Sequence, residues 1–555
     1  MTSAATHGGA VSETAATSDL DALGTGNESA RKQALLDVER PETSFDILGM
    51  RSGPDPRTAS PLLFVAVLVC CVSHFMYGFS LCFTSPAQSS MEGKPKVRYV
   101  SGQVVEVFPP SDLAVFLPAQ FTFYAALFTM GALAGAFMGS AMSNRYGRKR
   151  TLELSACPHV VSWLATAWFA DPVLLTMARM LTGFAVGIGA AVMPCYISEV
   201  STISVRGPLG AVSQLYLTCG LFATNLLGSY ATVVKVEEHT FCDWRRLALL
   251  GMMFAAVLFF MAFMPESPKW LAQQGHVQAA KLALRRLRVG DTTAEEIELE
   301  AAVGLRTPRP GDGGGSSRTV ALSYSLSDCR VSLIIAMAML FFLQFSGITA
   351  VMMFTTDICA KAGMTNAELC TVSVMVARIV FGGASCAVVE TMGRRRLLQS
   401  SSFVMGVCHV ALSYYYSLMG GAWEAPPWVA LAALSLYVTA FASGMGPVPW
   451  IIVGEIFPVE VAGVASAMAT SVGWVSSFVV CVGFRHLQAT VGIGGAFLFF
   501  SMPCFACTLF VTALLPETKG KSIEEVLQAL NSGCLHVLVG RRRFEDATAP
   551  KSLYA

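Results

Sequence analysis

Long apolar stretches alternate with short polar segments along most of the chain. Each stretch has about 20 residues or more, the length that a helix needs to cross the hydrocarbon core of a bilayer. Twelve stretches are recognised, and they run approximately through 61–83, 113–142, 152–170, 174–196, 208–232, 247–265, 331–356, 367–389, 397–418, 428–453, 464–484 and 493–515. The pattern predicts an all-α membrane protein with twelve transmembrane helices, six on each side of a polar middle.

Polar segments separate and flank the two apolar blocks. Charged residues alternate with Leu and Ala at helical spacing over 269–305, before a Pro- and Gly-rich stretch at 308–317. This predicts a helical bridge with a flexible end. The predicted divisions are a disordered N-terminal tail over 1–60, a six-helix bundle over 61–265, the bridge over 266–329, a second six-helix bundle over 330–516 and a C-terminal tail over 517–555.

Composition supports a membrane protein and excludes several classes of function. Hydrophobic residues make up 54% of the chain, charged residues 14%, and the mean hydropathy is +0.56. Soluble domains carry roughly 25% charged residues, so the lipid bilayer is the expected partner. The net charge of +1 gives no indication of nucleic-acid binding, and the 16 cysteines lack metal-ligand spacing. Because no nucleophile and base pair stands out either, we expect no enzyme, metal or cofactor.

Lys and Arg are concentrated in a few short loops and in the C-terminal tail. They are Arg145, Arg148, Lys149, Arg150, Arg394, Arg395, Arg396, Arg541, Arg542 and Arg543. Since short basic loops stay on the cytosolic side, these loops and both termini are expected in the cytosol. Arg245 and Arg246 argue weakly against this, because an even number of spans places them outside. The plasma membrane is favoured over an organelle, although span physics does not distinguish the two.

A basic loop occurs once in each apolar block. Residues 145–150 read Arg-Tyr-Gly-Arg-Lys-Arg, and residues 391–396 read Thr-Met-Gly-Arg-Arg-Arg. The blocks also close on similar triplets, Pro-Glu-Ser around Glu266 and Pro-Glu-Thr around Glu517. Internal symmetry of this kind is typical of transporters built from repeated bundles. We therefore expect the two bundles to be pseudo-symmetric.

Acidic residues recur near the membrane face that carries the basic loops, which suggests ion pairs between helix ends. An exposed pair contributes only about 0–1 kcal/mol, so these pairs would be weak as static contacts. A network formed in one state and broken in another can nevertheless bias a two-state equilibrium. The candidate gating residues are Arg148, Glu199, Arg206, Glu266, Glu390, Arg394, Arg395, Glu455 and Glu517.

Six short motifs occur in a fixed order across 61–525. They are Asn-Arg-Tyr-Gly-Arg-Lys at 144–149, Tyr-Ile-Ser-Glu at 196–199 with Arg-Gly at 206–207, Pro-Glu-Ser-Pro at 265–268, Gln-Phe-Ser-Gly at 344–347, Gly-Pro-Val-Pro-Trp at 446–450 with Glu455, and Pro-Glu-Thr-Lys-Gly at 516–520. Through them the chain resembles the sugar porters of the major facilitator superfamily and is similar to the facilitative glucose transporters. The resemblance implies a single chain whose two bundles rock between outward-open and inward-open forms around a midplane sugar site. The ion pairs would then brace the outward-open form.

The same resemblance implies a partial sugar site. Gln214 and Gln344 match sugar-contacting glutamines, and Trp450 and Trp474 match tryptophans of the tenth and eleventh spans. Sugar binding needs hydrogen-bonding groups and an aromatic face, although helix packing also explains an isolated Gln or Trp. Pro447 and Pro449 have no backbone N–H to donate, so each removes a helical hydrogen bond. They predict a hinge in the tenth span, and the alternative is a kink that is merely tolerated.

Several positions depart from the family pattern. Thr349 replaces an asparagine, Leu343 replaces a glutamine, and Arg378 falls on the polar contact of the eighth span. A charge at the middle of a span costs at least about 2.5–3.5 kcal/mol, so Arg378 should face water, a partner or a ligand. Two hypotheses stay open: Arg378 contacts a sugar hydroxyl or an acidic substrate, or it bonds to a neighbouring helix carbonyl.

These observations lead to one leading function and three alternatives. The first span reads Tyr-Gly-Phe-Ser-Leu at 77–81, where proton-coupled relatives carry an acid, so we expect a uniporter. The leading hypothesis is facilitative transport of hexoses such as glucose or fructose, with Gln214, Gln344, Thr349, Trp450 and Trp474 holding the sugar. The alternatives are a proton-coupled carrier, a carrier of polyols or sugar acids, and a sugar sensor that does not transport.

Overall fold

The protein is described by a computed structural model. It describes residues 59–93, 96–100, 103–108, 115–233, 235–236, 239–240, 244–304, 329–364, 366–418, 426–518 and 523–532. The N-terminal half consists of long helices connected by short loops. They are α1 (Pro61–Cys82), α2 (Thr84–Met91), α3 (Pro118–Tyr146), α4 (Arg148–Trp168), α5 (Pro172–Val200), α6 (Ile203–Val233) and α7 (Trp244–Ala256), which continues as a 3-10 segment over Val257–Phe263.

The bridge and the C-terminal half also consist of helices. The bridge helices are α8 (Pro268–Gln273), α9 (Val277–Leu287) and α10 (Thr293–Gly304). The C-terminal half contains α11 (Arg330–Phe345), α12 (Ile348–Lys361), α13 (Ala367–Met392), α14 (Arg394–Leu418), α15 (Pro427–Ala440), α16 (Val448–Glu455) and α17 (Val459–Leu514). A further helix, α18 (Ile523–Ser532), lies in the predicted tail and packs against α11.

The spans add up to the predicted twelve. In the described part of the chain, seven helical stretches are long and apolar enough to cross a membrane: Pro61–Met91, Pro118–Tyr146, Pro172–Val200, Trp244–Phe263, Arg330–Lys361, Pro427–Glu455 and Gly463–Leu514. The last has 52 residues and supplies two spans, because its helix is interrupted at Gly492, where φ is 76°. Helices α4, α6, α13 and α14, of 21 to 31 residues, complete the set. This confirms two six-helix bundles.

Local sequence signals set several helix starts. Pro61 and Pro172 stand at the first position of α1 and α5, where the missing N–H costs nothing. Asp171 caps α5, because its Oδ1 accepts hydrogen bonds from the Val173 and Leu174 N–H groups at 2.9 Å.

Helices approach each other closely where small residues lie in the contact. A Cβ atom at Gly131 on α3 would overlap the Met180 carbonyl on α5.

Two short antiparallel hairpins lie in the loops, which the all-helical expectation did not include. Strand β1 (Lys96–Val100) pairs with β2 (Gln103–Phe108), and β3 (Lys235–Val236) pairs with β4 (His239–Thr240). The first hairpin and α2 occupy the 84–110 loop, for which the sequence shows no pattern of structure. Both hairpins lie outside the spans, so the membrane part remains helical as predicted.

The loops at Gly147 and Gly393 lie at the same membrane face, here called the basic face. Gly147 separates α3 from α4, and Gly393 separates α13 from α14. An even number of spans lies between these two loops, so both are on the same side of the membrane. The other side, which holds α2 and the loop between α12 and α13, is called the opposite face. The halves pack against each other through α3 with α17, α6 with α13, and α12 with α1 and α2.

Candidate functional site

A buried ion pair joins two helix ends of the N-terminal half at the basic face. The guanidinium of Arg148, at the start of α4, donates to the Glu199 carboxylate from Nε at 3.0 Å and from Nη2 at 3.0 Å. The Arg148 Nη1 also donates to the Ser143 carbonyl at 3.0 Å. The two side chains are only 11% and 15% exposed, so the pair is more strongly held than the exposed pairs that the sequence suggested.

Glu266 caps the same helix start. Its Oε1 accepts hydrogen bonds from the backbone N–H groups of Arg148 and Lys149, each at 3.0 Å. A carboxylate is favourable here because unpaired N–H groups and the helix dipole make the N-terminus of α4 positive. Burial raises the pKa of Glu266, and the backbone hydrogen bonds oppose that rise.

The C-terminal half repeats this arrangement. Arg394 lies 3.4 Å from Glu455, and the Glu517 carboxylate accepts the backbone N–H groups of Arg394 at 2.9 Å and Arg395 at 3.2 Å. The Arg394–Glu455 pair is longer and more exposed than its counterpart, with 31% of the Glu455 side chain exposed. The second half therefore holds its basic face less tightly than the first.

A hydroxyl completes each network and was not selected from the sequence. Ser267 donates to Glu199 Oε2 at 2.5 Å, and Thr518 donates to Glu455 Oε2 at 2.6 Å. These residues are the third members of the repeated Pro-Glu-Ser and Pro-Glu-Thr triplets. The repeat was therefore the signal that could have identified them.

The remaining candidate gating residues are placed differently. Arg206 is exposed near the start of α6, and within the described residues its side chain forms no ion pair. Arg395 donates from Nη2 to the Thr512 carbonyl at 2.7 Å. The side chain of Glu390 lies outside the described part of the structure. The ion pairs among the predicted residues each join two helix ends of one half, so a role between the halves stays a prediction.

Two predicted sugar ligands lie beside an interruption of the seventh span. Thr349 Oγ1 donates to Gln344 Oε1 at 2.7 Å across the gap between α11 and α12, and both side chains are buried. Two other helices contact the backbone in this gap. The Ser346 carbonyl accepts a hydrogen bond from Tyr437 of α15 at 2.9 Å and lies 2.9 Å from Nε2 of His409 on α14. Neither Tyr437 nor His409 was expected at this site from the sequence.

Arg378 is buried and only weakly partnered. The residue is 7% exposed, its Nη1 lies 3.7 Å from Met352 Sδ, and its guanidinium lies 5.3 Å from the Phe441 ring centroid. Within the described residues, its Nε has no hydrogen-bond partner. Its described neighbours are a thioether and a ring rather than a helix carbonyl, and contact with a sugar or an acidic substrate stays a prediction. The carbonyl of Met352 also accepts a hydrogen bond from Sγ of Cys82, in the N-terminal half, at 3.4 Å. Arg378 therefore lies beside a contact between the two halves.

A second buried arginine was missed by the sequence analysis. Arg179 on α5 is 1% exposed, donates to the Ser80 carbonyl at 2.8 Å and lies over the rings of Phe128 and Tyr124. Among the side chains that the structure describes, its Nε and Nη2 find no hydrogen-bond partner. Its position within the apolar stretch 174–196 was the available signal. Within the described residues, neither Arg179 nor Arg378 pairs with a carboxylate.

The two predicted tryptophans differ in environment. Trp474 on α17 is buried, and its ring lies 5.9 Å from that of Tyr77 on α1, so this aromatic pair spans the two halves. Trp450 on α16 is 42% exposed. Gln214 on α6 is also exposed, and within the described residues its side chain has no hydrogen-bond partner. The structure thus brings Gln344 and Thr349 together but leaves Gln214 and Trp450 outside that contact.

The predicted hinge coincides with irregular backbone. A π-helical segment, Phe441–Met445, follows α15, and the Gly446 N–H donates to the Phe441 carbonyl at 2.8 Å. Helix α16 then begins after Pro447, with Pro449 in its first turn. Proline and π-helical geometry both interrupt the regular hydrogen-bond ladder. The two prolines therefore mark a break in the tenth span, and its motion stays a prediction.

Contacts between the halves close the opposite face. Ser85 and Thr356 are joined through their hydroxyls at 2.8 Å, and Thr84 donates to the Met353 carbonyl at 3.2 Å. Arg485 on α17 forms an ion pair with Glu92 at 2.8 Å. These contacts, together with those of Cys82 with Met352 and of Arg485 with Pro118, lie toward this face. The halves are therefore joined at the opposite face.

Residues 65–530 match the family model described as "Sugar (and other) transporter". The chain belongs to the sugar transporter family. This sugar transporter is 31% identical to "Sugar transporter ERD6-like 16" of Arabidopsis thaliana over 474 residues, which cover 84% of this chain and 89% of that protein. It is 30% identical to "Facilitated trehalose transporter Tret1" of Polypedilum vanderplanki over 467 residues, covering 83% and 86%.

Solved structures support the fold of the sugar transporter. The xylose transporter XylE from E. coli, in a partially occluded inward-open conformation, aligns with a TM-score of 0.67 and 22% identity over 83% of this chain and all of that one. XylE described as a proton:xylose symporter bound to 6-bromo-6-deoxy-D-glucose aligns with a TM-score of 0.65 and 24% identity, covering 84% and 98%. The predicted major facilitator fold is confirmed.

Proposed function

We propose that this sugar transporter is a uniporter that moves hexoses such as glucose or fructose by alternating access. The observation that carries the proposal is the cluster at the junction of the halves. Tyr77 and Trp474 meet there from opposite halves, and Arg378 contacts Met352 beside the Cys82 contact. Aromatic faces and buried donors are what a sugar ring and its hydroxyls require.

Gln344 and Thr349 would supply further hydroxyl partners. Their mutual hydrogen bond occupies Gln344 Oε1, and a bound sugar would compete with or extend it. Gln214 and Trp450, which are exposed on α6 and α16, would complete the site from the side of the basic face. Because the opposite face is held closed, this conformation would take up or release sugar at the basic face.

Transport without proton coupling is supported by the surroundings of Arg179. Within the described residues this arginine contacts a carbonyl and two aromatic rings rather than a carboxylate. A carboxylate beside an arginine could gain and lose a proton during the cycle, whereas a backbone carbonyl cannot. We infer that sugar moves down its gradient alone.

The orientation and gating complete the proposal. The positive-inside rule places the basic face and both termini in the cytosol, and the plasma membrane is the favoured location. The pairs Arg148–Glu199 and Arg394–Glu455 would hold each half as a rigid unit during rocking, with Arg206, Glu266, Glu390, Arg395 and Glu517 contributing to a cytosolic gate. A single chain would be sufficient, because the proposed site lies between its own two halves.

A second candidate substrate is a sugar acid. Arg378 is buried, carries an unpaired Nε and has no carboxylate partner within the described residues. An acidic sugar would supply the missing counter-charge and accept from that donor. A substrate other than a hexose is compatible with the relative named for facilitated trehalose transport.

Uptake into proteoliposomes tests the proposal. Radiolabelled glucose and fructose uptake is measured with and without a pH gradient, with xylose, trehalose, polyols and sugar acids as competitors. Saturable hexose uptake at the same rate with and without the pH gradient supports uniport. Uptake that rises with inward proton movement rejects uniport, and competition by sugar acids alone favours the second candidate. Binding without flux would instead identify a sensor.

A further inference from the structure

Two cysteines meet at the opposite face in a position that the transport site does not use. Cys359 lies near the end of α12, and Cys370 lies in the first turn of α13. Their Sγ atoms are 2.6 Å apart, and both residues are buried. The sulfurs of a disulfide are about 2.05 Å apart, so only a small approach is needed to join them.

We propose that Cys359 and Cys370 form a disulfide that holds the opposite face of the transporter closed. Thr356, one turn before Cys359, makes the hydroxyl contact with Ser85 of the other half. The helix is interrupted at Phe354, where φ is −123° and ψ is 20°. The segment 355–361 can therefore move separately from the rest of α12, and a bond to α13 would restrain it.

Further contacts hold this segment against the C-terminal half. Tyr416 donates to the Ile358 carbonyl at 2.9 Å, and Tyr415 donates to the Ala362 carbonyl at 2.8 Å. Hydrogen bonds of this kind break and reform easily, since each contributes only about 0.5–1.5 kcal/mol. A covalent bond would make the same attachment permanent until it is reduced.

The chemistry is thiol–disulfide exchange with a low-molecular-weight disulfide such as oxidised glutathione. The Cys370 thiolate, formed by loss of its proton, attacks one sulfur of that oxidant and releases the first small thiol. The Cys359 thiolate then displaces the second small thiol, so two cysteine thiols are oxidised and one small disulfide is reduced to two thiols. Under the orientation proposed above, the opposite face meets the non-cytosolic compartment, where disulfides persist.

A small apolar pocket in the structure reaches both residues. It is lined by Cys359 and Cys370 together with Ile358, Ala362, Met364 and Leu412. The pocket is too small for oxidised glutathione, so attack on these thiols requires local opening of the contact between α12 and α13.

Peptide mapping of the full-length protein tests the bond directly. Trypsin cleaves after Lys361 and Arg378, so Cys359 falls in peptide 331–361 and Cys370 in peptide 362–378, each with a single cysteine. After treatment with oxidised glutathione, we expect one linked mass that separates on reduction and is absent from Cys359→Ser and Cys370→Ser. Complete alkylation of both cysteines after the same treatment would overturn the proposal.

Sugar flux tests the effect on the gate. Oxidation should remove most of the flux of the wild-type protein, and dithiothreitol should restore it, whereas Cys359→Ser should keep its flux. Cys157→Ser is the matched control, because Cys157 is exposed on α4 and should leave the response to oxidation intact. A linked peptide with unchanged flux would reject the gating role. A protein without flux under any condition would reject the proposed transport function, while the peptide masses still decide the disulfide.

Discussion

Gly393 lies so close to Glu517 that a Cβ atom at this position would be 2.8 Å from the Oε2 atom of the carboxylate. The backbone of Gly393 has φ 84° and ψ 158°, a region that only glycine adopts readily. Gly147 and Glu266 repeat the relationship in the first half, with φ 99° and ψ 162°. Each glycine thus allows a carboxylate to cap the helix that follows.

Substitution of these glycines should destabilise the helix caps. We expect Gly147→Ala and Gly393→Ala each to cost about 1–3 kcal/mol from backbone strain, with an added loss from the displaced carboxylate. Thermal unfolding of the purified protein in one detergent would measure the effect. Gly275→Ala is an informative control, because it shares a positive φ of 81° but has no atom near the added Cβ. Equal losses at all three positions would show that the carboxylate contact contributes nothing.

The two repeated ion pairs should differ in strength. Glu199→Gln leaves the mostly buried Arg148 without its counter-charge, and we expect a loss of about 3–5 kcal/mol. Glu455→Gln removes a longer, partly exposed contact, so the loss should be about 0–1 kcal/mol. The two unfolding midpoints, measured side by side, check the order. A larger loss for Glu455→Gln would contradict the geometry.

Arg378 should influence the choice of substrate. If it donates to the solute, Arg378→Gln should weaken apparent affinity by tenfold or more, because hydrogen bonds to charged groups contribute about 1.5–3 kcal/mol. The loss should be greatest for sugar acids. Competition assays with wild type and variant provide the measurement, with Met352→Leu as a control that removes the sulfur contact. Unchanged affinity and substrate order would reject the role in binding.

The bridge should loosen in acid. A hydrogen bond from Arg285, assisted by one from Thr292, lowers the pKa of Glu296 from its usual 4.5 to about 2. A lowered pKa in the folded state means that the stabilisation is present above pH 4.5 and declines as the pH falls toward 2. Hydrogen exchange of residues 277–304, corrected for intrinsic rates, should show less protection at pH 3 than at pH 6. If Glu296→Gln showed the same loss of protection between pH 6 and pH 3, the effect would belong to another titrating group.

Loss of the Arg485–Glu92 ion pair should open the opposite face. The Glu92 side chain is fully buried, so Arg485→Met would leave its charge without this partner and favour separation of the halves. A cysteine introduced as Ser85→Cys should then react faster with a membrane-impermeant maleimide. Arg485→Lys preserves the charge and should react nearly as slowly as the parent. No change in the reaction rate would show that other contacts maintain the closure.

Much of the fold and part of the site could be predicted from the chain. The lengths of the apolar stretches predicted twelve spans. The repeated Pro-Glu triplets singled out Glu266 and Glu517 as ion-pair candidates, whereas the structure shows that both cap helix starts. The partners were harder to assign, since Glu199, Glu266, Glu455 and Glu517 are distant in sequence from the groups they contact. Arg179 was missed because its surrounding stretch reads as an ordinary span.

Span number, internal repetition and membership of the sugar transporter family follow from sequence, because the bilayer imposes a length on each helix and short motifs recur at helix ends. The tertiary structure alone determined that Gln344 bonds to Thr349, that Arg378 lies against Met352 and Phe441, and that Cys359 meets Cys370. These contacts depend on how helices rotate and where they break. A rotation or break changes which side chains meet while leaving the apolar length of a span unaltered.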